Sequence, residues 1–330
     1  MLAFTLRRLL SAIPVLLGIT VLTWLISTTN PNGGPLTSIL GQGKEVPASE
    51  IAAVEHKFGL DQPLPVRYLY WLRNLARGDL GTSTTEHKPV FAAIQERLLP
   101  TVLLLSIVLI VKEISGISLG LYAAARRGSF FDQLFTVLAY VLYALPTFWY
   151  SLMLIVLFGM ALQWLPLNGM VDDRLSGTVF GTDAYWQYFH THIIEAITDL
   201  ARHLILPVTV LVTSGIAGSS RFVRASMLGV LGQDYIRTAR AKGLPEKMVI
   251  WKHAMRNAIL PEVTNIGLAI PGLIGGAVVT EQIFAWPGMG RLFVNAAQGY
   301  DYPLVIGYIV LLGALTLFCN IMTDVAYAFI

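Results

Sequence analysis

The sequence predicts an all-α, polytopic membrane protein with about six transmembrane helices and a small extracytoplasmic cap. Three observations carry that prediction. Of 330 residues, 55% are hydrophobic and only 13% are charged, about half the charged share of an average soluble domain. Apolar stretches recur at residues 9–29, 98–124, 131–163, 200–220, 258–281 and 303–327, long enough to cross ~30 Å of hydrocarbon at ~1.5 Å per residue. Finally, the segments between them alternate between basic and acidic, which orients a chain in a bilayer.

The first stretch follows Arg7-Arg8 and runs from Leu9 to Thr29. It is longer than the apolar region of a signal peptide and has no small-residue cleavage box, so it reads as a retained first helix. The stretch 131–163 holds Pro146 near its middle and could form one kinked helix or two short ones. Charge decides. Arg7-Arg8, Arg126-Arg127 and the segment 221–256 are basic, the last with Arg221, Arg224, Arg237, Arg240, Lys242, Lys247, Lys252 and Arg256 against Asp234 and Glu246. These face the cytoplasm. The segment 164–199 holds Asp172, Asp173, Asp183, Glu195 and Asp199 against Arg174 and lies outside. The chain must cross an odd number of times between Arg127 and that segment, and one crossing fits. Both termini then lie in the cytoplasm, and no soluble domain is expected after the last helix.

Three regions follow. Residues 1–29 are the N-terminal segment and first helix, 30–97 the extracytoplasmic cap, and 98–330 the core with transmembrane helices 2–6, which includes a cytoplasmic loop at 221–257. The cap carries turn signals at Asn30-Pro31-Asn32-Gly33-Gly34-Pro35 and an amphipathic pattern at Val66, Leu69, Tyr70, Leu72 and Leu75. No internal repeat stands out. A net charge of +3 with dispersed basic residues gives no nucleic-acid face. The single cysteine, Cys319, excludes an intramolecular disulfide and reads as a small apolar residue. No phosphate-cradling G-x-x-x-x-G-K-[ST], H-E-x-x-H, G-x-S-x-G or C-x-x-C motif is present.

The segment 234–261, DYIRTARAKGLPEKMVIWKHAMRNAILP, is too polar to span and reads as helix, break, helix. Asp234 suits the first cap, Gly243 a left-handed C′ position and Pro245 the first position of the next helix. Met248, Trp251 and Met255 recur at helical spacing beside Lys247, Lys252 and Arg256. Two readings fit this pattern equally: a helix lying on anionic lipid, or a helix that docks in a groove of a soluble partner, with small Ala239 and Gly243 permitting close approach.

The segment resembles the cytoplasmic signature loop of ABC importer permeases: two alanines, a glycine and then Leu-Pro. Here Ala239 is the second alanine, Gly243 the glycine and Leu260-Pro261 the Leu-Pro. Arg237 and Thr238 replace the usual glutamate and first alanine, and Gly243 and Pro261 stand further apart than in sugar-type members. Both departures fit the peptide-type branch, whose members read Tyr-Ile-Arg-Thr-Ala-Arg-Ala-Lys-Gly as residues 235–243 do. Phe58-Gly59-Leu60-Asp61, Gly78-Asp79-Leu80-Gly81, Ala125-Arg126-Arg127-Gly128, Phe284-Ala285-Trp286-Pro287-Gly288-Met289-Gly290 and Asp301-Tyr302-Pro303 also resemble that branch.

The resemblance implies the type I ABC importer permease fold and the first permease subunit of a dipeptide/oligopeptide importer in a prokaryotic cytoplasmic membrane. It implies a second, homologous permease, two ATPase subunits that hold ATP and Mg, and an extracytoplasmic peptide-binding protein; no cofactor is expected in this chain. It makes Asp234, Tyr235, Arg237, Thr238, Ala239, Ala241, Gly243, Leu244 and Pro261 the ATPase-coupling residues. A same-branch permease for nickel chelates, glutathione or another small solute stays open. So does an ion-driven secondary transporter, although no paired broken helices in an inverted repeat are visible.

Lys112 and Glu113 fall near the middle of the second span, where charge is costly and faces a cavity or a partner. They could line the translocation path or be neutralised within the bundle. Being adjacent, they diverge by about 100° around a helix and are not expected to meet easily. His203, Glu262 and Asp324 lie near span ends and are expected to meet headgroups or water.

Overall fold

A computed structural model describes residues 2–29, 47, 62–177, 180–269 and 277–327. Those residues are almost entirely helical; Thr82 and Pro89 form an isolated bridge. The helices are α1 (Leu2–Thr29), α2 (Leu64–Ala76), α3 (Val90–Ala125), α4 (Phe130–Ala144), α5 (Thr147–Leu154), α6 (Asp173–Ser176), α7 (Asp183–Thr191), α8 (Ile193–Leu231), α9 (Asp234–Ala241), α10 (Glu246–Met248), α11 (Met255–Ala258), α12 (Leu260–Ala269), α13 (Val278–Ile283), α14 (Met289–Gln298) and α15 (Tyr302–Tyr327). π-helical segments continue α5 at Ile155–Ala161 and join α10 to α11 at Val249–Ala254.

Among the described residues, three helices are long and apolar enough to cross a bilayer: Val90–Ala125, Ile193–Leu231 and Tyr302–Met322. They stand where the second, fourth and sixth spans were expected. In α1 the apolar run is shorter, Leu10–Ile26. The stretch 131–163 is not a single gently kinked rod: α4 and the arm Thr147–Ala161 meet at 100°. Pro146, the residue before the second arm, has no amide N–H to continue the helix, and Leu145 before it is extended. The fifth stretch is helical at both ends, in α12 and α13; residues 270–276 and most of the cap's first half lie outside the described residues.

The chain forms two compact units. The first comprises Met1–Thr101, Ile274–Val278 and Pro287–Ile330; the second comprises Val102–Leu273 and Val279–Trp286.

In the first unit, α1 packs along α15. Trp24 of α1 meets Tyr68 of α2 edge to face, and the Tyr68 hydroxyl lies 2.8 Å from Thr20 Oγ1. This is the amphipathic cap helix that the pattern at Val66–Leu75 predicts. The core joins Val90, Ala93 and Ile94 to Met289, Leu292, Ala296, Leu304 and Tyr308. Gly307 is needed there, because a Cβ would stand 2.6 Å from Val90 Cγ1. Asp301, fully buried, accepts hydrogen bonds from Thr85 N, Thr85 Oγ1, Ser83 Oγ and Leu304 N. That pins the Thr82–Pro89 turn to the start of α15.

In the second unit, α3 and α8 touch backbone to backbone. A Cβ on Gly116 would stand 2.6 Å from Ser219 Cβ, and one on Gly120 would stand 2.6 Å from Ser220 O. Glycines four residues apart present one small-residue face, and close packing of this kind holds helices together where lipid offers no hydrophobic drive. A second cluster places Leu104, Val108, Leu204 and Val212 around Met170, Tyr185 and the fully buried Trp286. Here the acidic segment 164–199 is an ordered cap: Thr182 caps α7, and Phe180, Tyr185, Trp186 and Phe189 pack ring on ring.

Candidate coupling site

α8 does not stop at the predicted span end. It runs 39 residues to Leu231, ~58 Å at ~1.5 Å per residue, so the basic segment begins as a continuation of the span. Arg221 and Arg224 lie on that extension. Arg224 Nη2 donates to Asp132 Oδ2 at 2.9 Å, and Gly128 N donates to the same oxygen at 2.9 Å. The Arg126-Arg127-Gly128 turn is thereby fastened to α8, a link that no sequence motif announced.

Helix, break and helix follow as expected. Gln233, not Asp234, is the N-cap of α9; Asp234 sits in the first turn, and its carbonyl accepts from Thr238 Oγ1 at 3.0 Å. Lys242 closes the helix and Gly243 follows with φ +73°, the left-handed conformation that glycine adopts without strain. Pro245 is the N-cap of α10 rather than its first helical residue. Across this turn Arg240 grips Glu246, with Nε donating to Oε2 at 3.1 Å and Nη2 to Oε1 at 2.7 Å. The Arg240 hydrogen bond holds the Glu246 carboxyl below its ordinary range. Asn257 Nδ2 donates to the Tyr235 hydroxyl at 2.7 Å and joins the two arms a second time.

The apolar face of this pair is spent within its own chain. Ile236, Ala239, Val249, Ala254 and Ala258 are buried against Leu121, Ala124, Val223 and Met227, with Leu244 packed at the edge. Ala239 therefore faces its own core, not an outside groove; its small side chain serves the packing of α9 on α8 and α3. The π-helical segment is part of this arrangement. Its i→i+5 pairing brings Val249 and Ala254 onto one face, where a regular α-helix would set them about 140° apart.

What remains outside is distinct. Met248 and Trp251 are 40% and 51% exposed, and with Pro245 and Lys247 they line a shallow concavity. Lys242, Lys252, Arg237 and Arg256 are exposed on the same segment, as are Ala241 and Pro261. Among the described residues Arg237 pairs with Asp234, at 3.3 Å and largely in solvent. A Cβ on Gly243 would meet nothing within 4 Å, so the turn stands open. The segment exposes an apolar patch and several basic side chains, with no group of three or more His, Cys, Asp and Glu placed to hold a metal among the described residues.

Lys112 and Glu113 do meet, contrary to expectation: Lys112 Nζ lies 2.6 Å from Glu113 Oε1. The long lysine stem bends round the helix and crosses Gly215 of α8, where a Cβ would stand 2.7 Å from Lys112 Cδ. Glu113 is buried in the bundle, and Lys112 stays partly exposed. Glu262 and His203 are also buried, not at headgroups or water as expected. His203 Nδ1 lies 3.2 Å from Asp199 Oδ1, and Glu262 is 2% exposed. The Asp324 side chain lies outside the described residues.

Apolar helices long enough to cross a bilayer, with a polar helix pair packed on two of them, fit a membrane transport component. Residues 116–330 match the family described as binding-protein-dependent transport system inner membrane component, and residues 1–106 match the N-terminal family of the same systems. The chain belongs to this family of ABC transporter permeases, which act in complexes with other subunits. It is similar to the oligopeptide transport system permease protein AppB of Bacillus subtilis (strain 168), 39% identical over 331 residues that cover 100% of this chain and 98% of that one. The dipeptide transport system permease protein DppB of Escherichia coli (strain K12) is 39% identical over 335 residues, 99% of this chain and 97% of that one. The di/tripeptide transport system permease protein DppB of Pseudomonas aeruginosa (strain UCBPP-PA14) is 38% identical over 334 residues, with 99% and 97% covered. The resemblance read from residues 235–243 is borne out.

Proposed function

We propose that this chain is a pore-forming permease subunit of an ATP-driven importer of di- and oligopeptides, and that the exposed face of residues 234–258 seats an ATPase subunit. Similarity over the full chain to permeases named for peptide transport supports the substrate class. The observation that carries the docking role is the patch of Met248 and Trp251 beside Pro245 and Lys247, exposed on a helix pair whose other face is locked into the bundle. A force on that patch is transmitted to α3 and α8 through buried contacts, which suits a machine that rocks between two packings without a chemical step of its own.

The complete unit then has a second, homologous permease, two ATPase subunits that hold ATP and Mg, and an extracytoplasmic peptide-binding protein. This chain crosses the cytoplasmic membrane six times with both termini in the cytoplasm, the 100° bend at Pro146 lying within the third crossing. ATP is hydrolysed by partner chains, consistent with the missing phosphate-binding motif. Of the intramembrane pair, partly exposed Lys112 is the residue suited to the translocation path, and Glu113 is its buried counter-charge.

Cross-linking tests the docking. A cysteine at Met248 or Trp251, in a Cys319→Ser chain, should cross-link to an ATPase subunit in membranes and respond to nucleotide. Cross-links to lipid-anchored probes alone would return the segment to the bilayer surface.

A further inference from the structure

The start of α4 is joined by an ion pair to the stretch of α8 that carries the coupling segment. Asp132, in the first turn of α4, is 3% exposed. Its Oδ2 accepts from Arg224 Nη2 and from Gly128 N, each at 2.9 Å, and its carbonyl accepts from Thr136 Oγ1 at 2.6 Å. The carboxylate is thus fixed both to α4 and to the turn that precedes it. On α8, Arg224 follows Val223 and precedes Met227. Those two residues share one buried core with Ile236, Ala239, Val249, Ala254 and Ala258 of the coupling segment. The same stretch of α8 therefore holds the helix pair by apolar contact and α4 by a charge.

The pair is only half engaged. In an arginine, Nε and Nη2 lie along one edge of a planar guanidinium and match the two oxygens of a carboxylate as a fork. Here Nη2 is on Oδ2, whereas Arg224 Nε and Asp132 Oδ1 are both buried and find no partner among the described residues. A buried donor and a buried acceptor left unpaired are costly, and native structures rarely keep them. Each is the group the other lacks. Because Gly128 N also holds Oδ2, bringing Nε onto Oδ1 requires the Arg224 stretch of α8 to shift against α4. A further link between the two helices, the Arg221 guanidinium 4.9 Å from the centre of the Tyr140 ring, is made by exposed side chains and permits such a shift.

We propose that Arg224 and Asp132 are positioning residues that carry movement of the coupling segment into α4, their fork closed by one prong in this packing and by two in the other packing of the transport cycle. This rests on the reading that residues 234–258 seat an ATPase subunit. Force on the docked face passes through the buried core to Val223 and Met227, and Arg224 hands it to the start of α4. Closing the second prong satisfies two buried groups at once and favours the other packing, so the pair is a clamp with two positions. At its far end α4 meets the arm Thr147–Ala161 at the 100° bend, which passes the movement on.

Arg224→Lys tests this in the reconstituted complex of both permeases, the ATPase subunits and the binding protein. Lysine keeps the positive charge and can hold one prong, but it has no second N–H fixed along the same edge. The variant complex should assemble with a thermal midpoint close to that of the wild type. Transport should fall about ten-fold or more, the effect of one charge-assisted hydrogen bond missing from the packing that needs it, and ATP hydrolysis should no longer follow loaded binding protein. A second preparation, with Met248→Cys and Cys319→Ser added, should still cross-link to an ATPase subunit. Where the lysine variant does not assemble, Asp132→Asn, which keeps the shape and an acceptor, should show the same uncoupling. Normal transport by Arg224→Lys with the cross-link kept overturns this proposal alone. Loss of the cross-link only in the variant, or failure of both variants to assemble, also overturns it, because the pair then supports the structure and transmits nothing. A complex with native Arg224 that gives no cross-link overturns the docking reading, and this proposal with it.

Discussion

Arg240 holds Glu246 by two hydrogen bonds, of 3.1 and 2.7 Å, across the turn that Gly243 makes. Both side chains are largely in solvent, so the pair serves more to set the angle between α9 and the following helix than to stabilise the chain. A surface ion pair of this kind contributes less than ~1 kcal/mol. Glu246→Gln should lower the thermal midpoint only slightly. Because the folded carboxyl is held below its ordinary range, its contribution is full at neutral pH and is lost as pH falls through that lowered value. Thermal unfolding of wild type and variant from neutral to acid pH should converge at the acid end.

Gly243 carries φ +73° with open space where a side chain would go. Gly243→Ala therefore meets only backbone strain, about 1 kcal/mol, and should fold and transport with a modest loss. Gly243→Leu adds bulk on the exposed turn without disturbing the core. It should leave the permease folded and assembled with its homologous partner, yet impair transport far more than alanine does. Equal effects of the two substitutions would mean that the turn touches nothing.

Ile236 is fully buried between α9 and the ends of α3 and α8. Ile236→Ala removes packed volume there and should cost about 2–5 kcal/mol. Limited proteolysis should cut near Lys242 in the variant before it cuts elsewhere. Unchanged protection would mean that α9 is not held by this core.

Topology is tested by labelling intact cells from outside in a Cys319→Ser chain. A cysteine at Thr182, the cap of α7, should be marked by an impermeant reagent, and one at Lys247 should be spared. Reversed labelling would overturn the six-crossing reading.

Much of this fold was legible because its signals are local. Length and hydropathy predicted α3, α8 and α15, and Gly243 with Pro245 predicted the break after α9. What was missed depends on where helices meet. Apolar spacing marked Met248, Trp251 and Met255 as one face; the π-helical segment instead turns Val249 and Ala254 inward, packs Met255 against the core and leaves Met248 and Trp251 exposed. Glu262 read as a polar residue near a span end because nothing in its neighbours in sequence reveals that the folded chain buries it. The same holds for Arg224 with Asp132. One local signal was present and unused: Gly116 and Gly120, four apart in an apolar run, mark the close crossing of α3 with α8.

The central claim is that the face at Pro245, Lys247, Met248 and Trp251 seats an ATPase subunit. The most direct measurement is transport and ATP hydrolysis together, in reconstituted complex carrying Trp251→Asp. Trp251 is half exposed and outside the core, so the permease should fold normally. The account predicts that transport is lost, with ATPase subunits released or their turnover no longer responding to loaded binding protein. Normal transport with normal stimulation would contradict it.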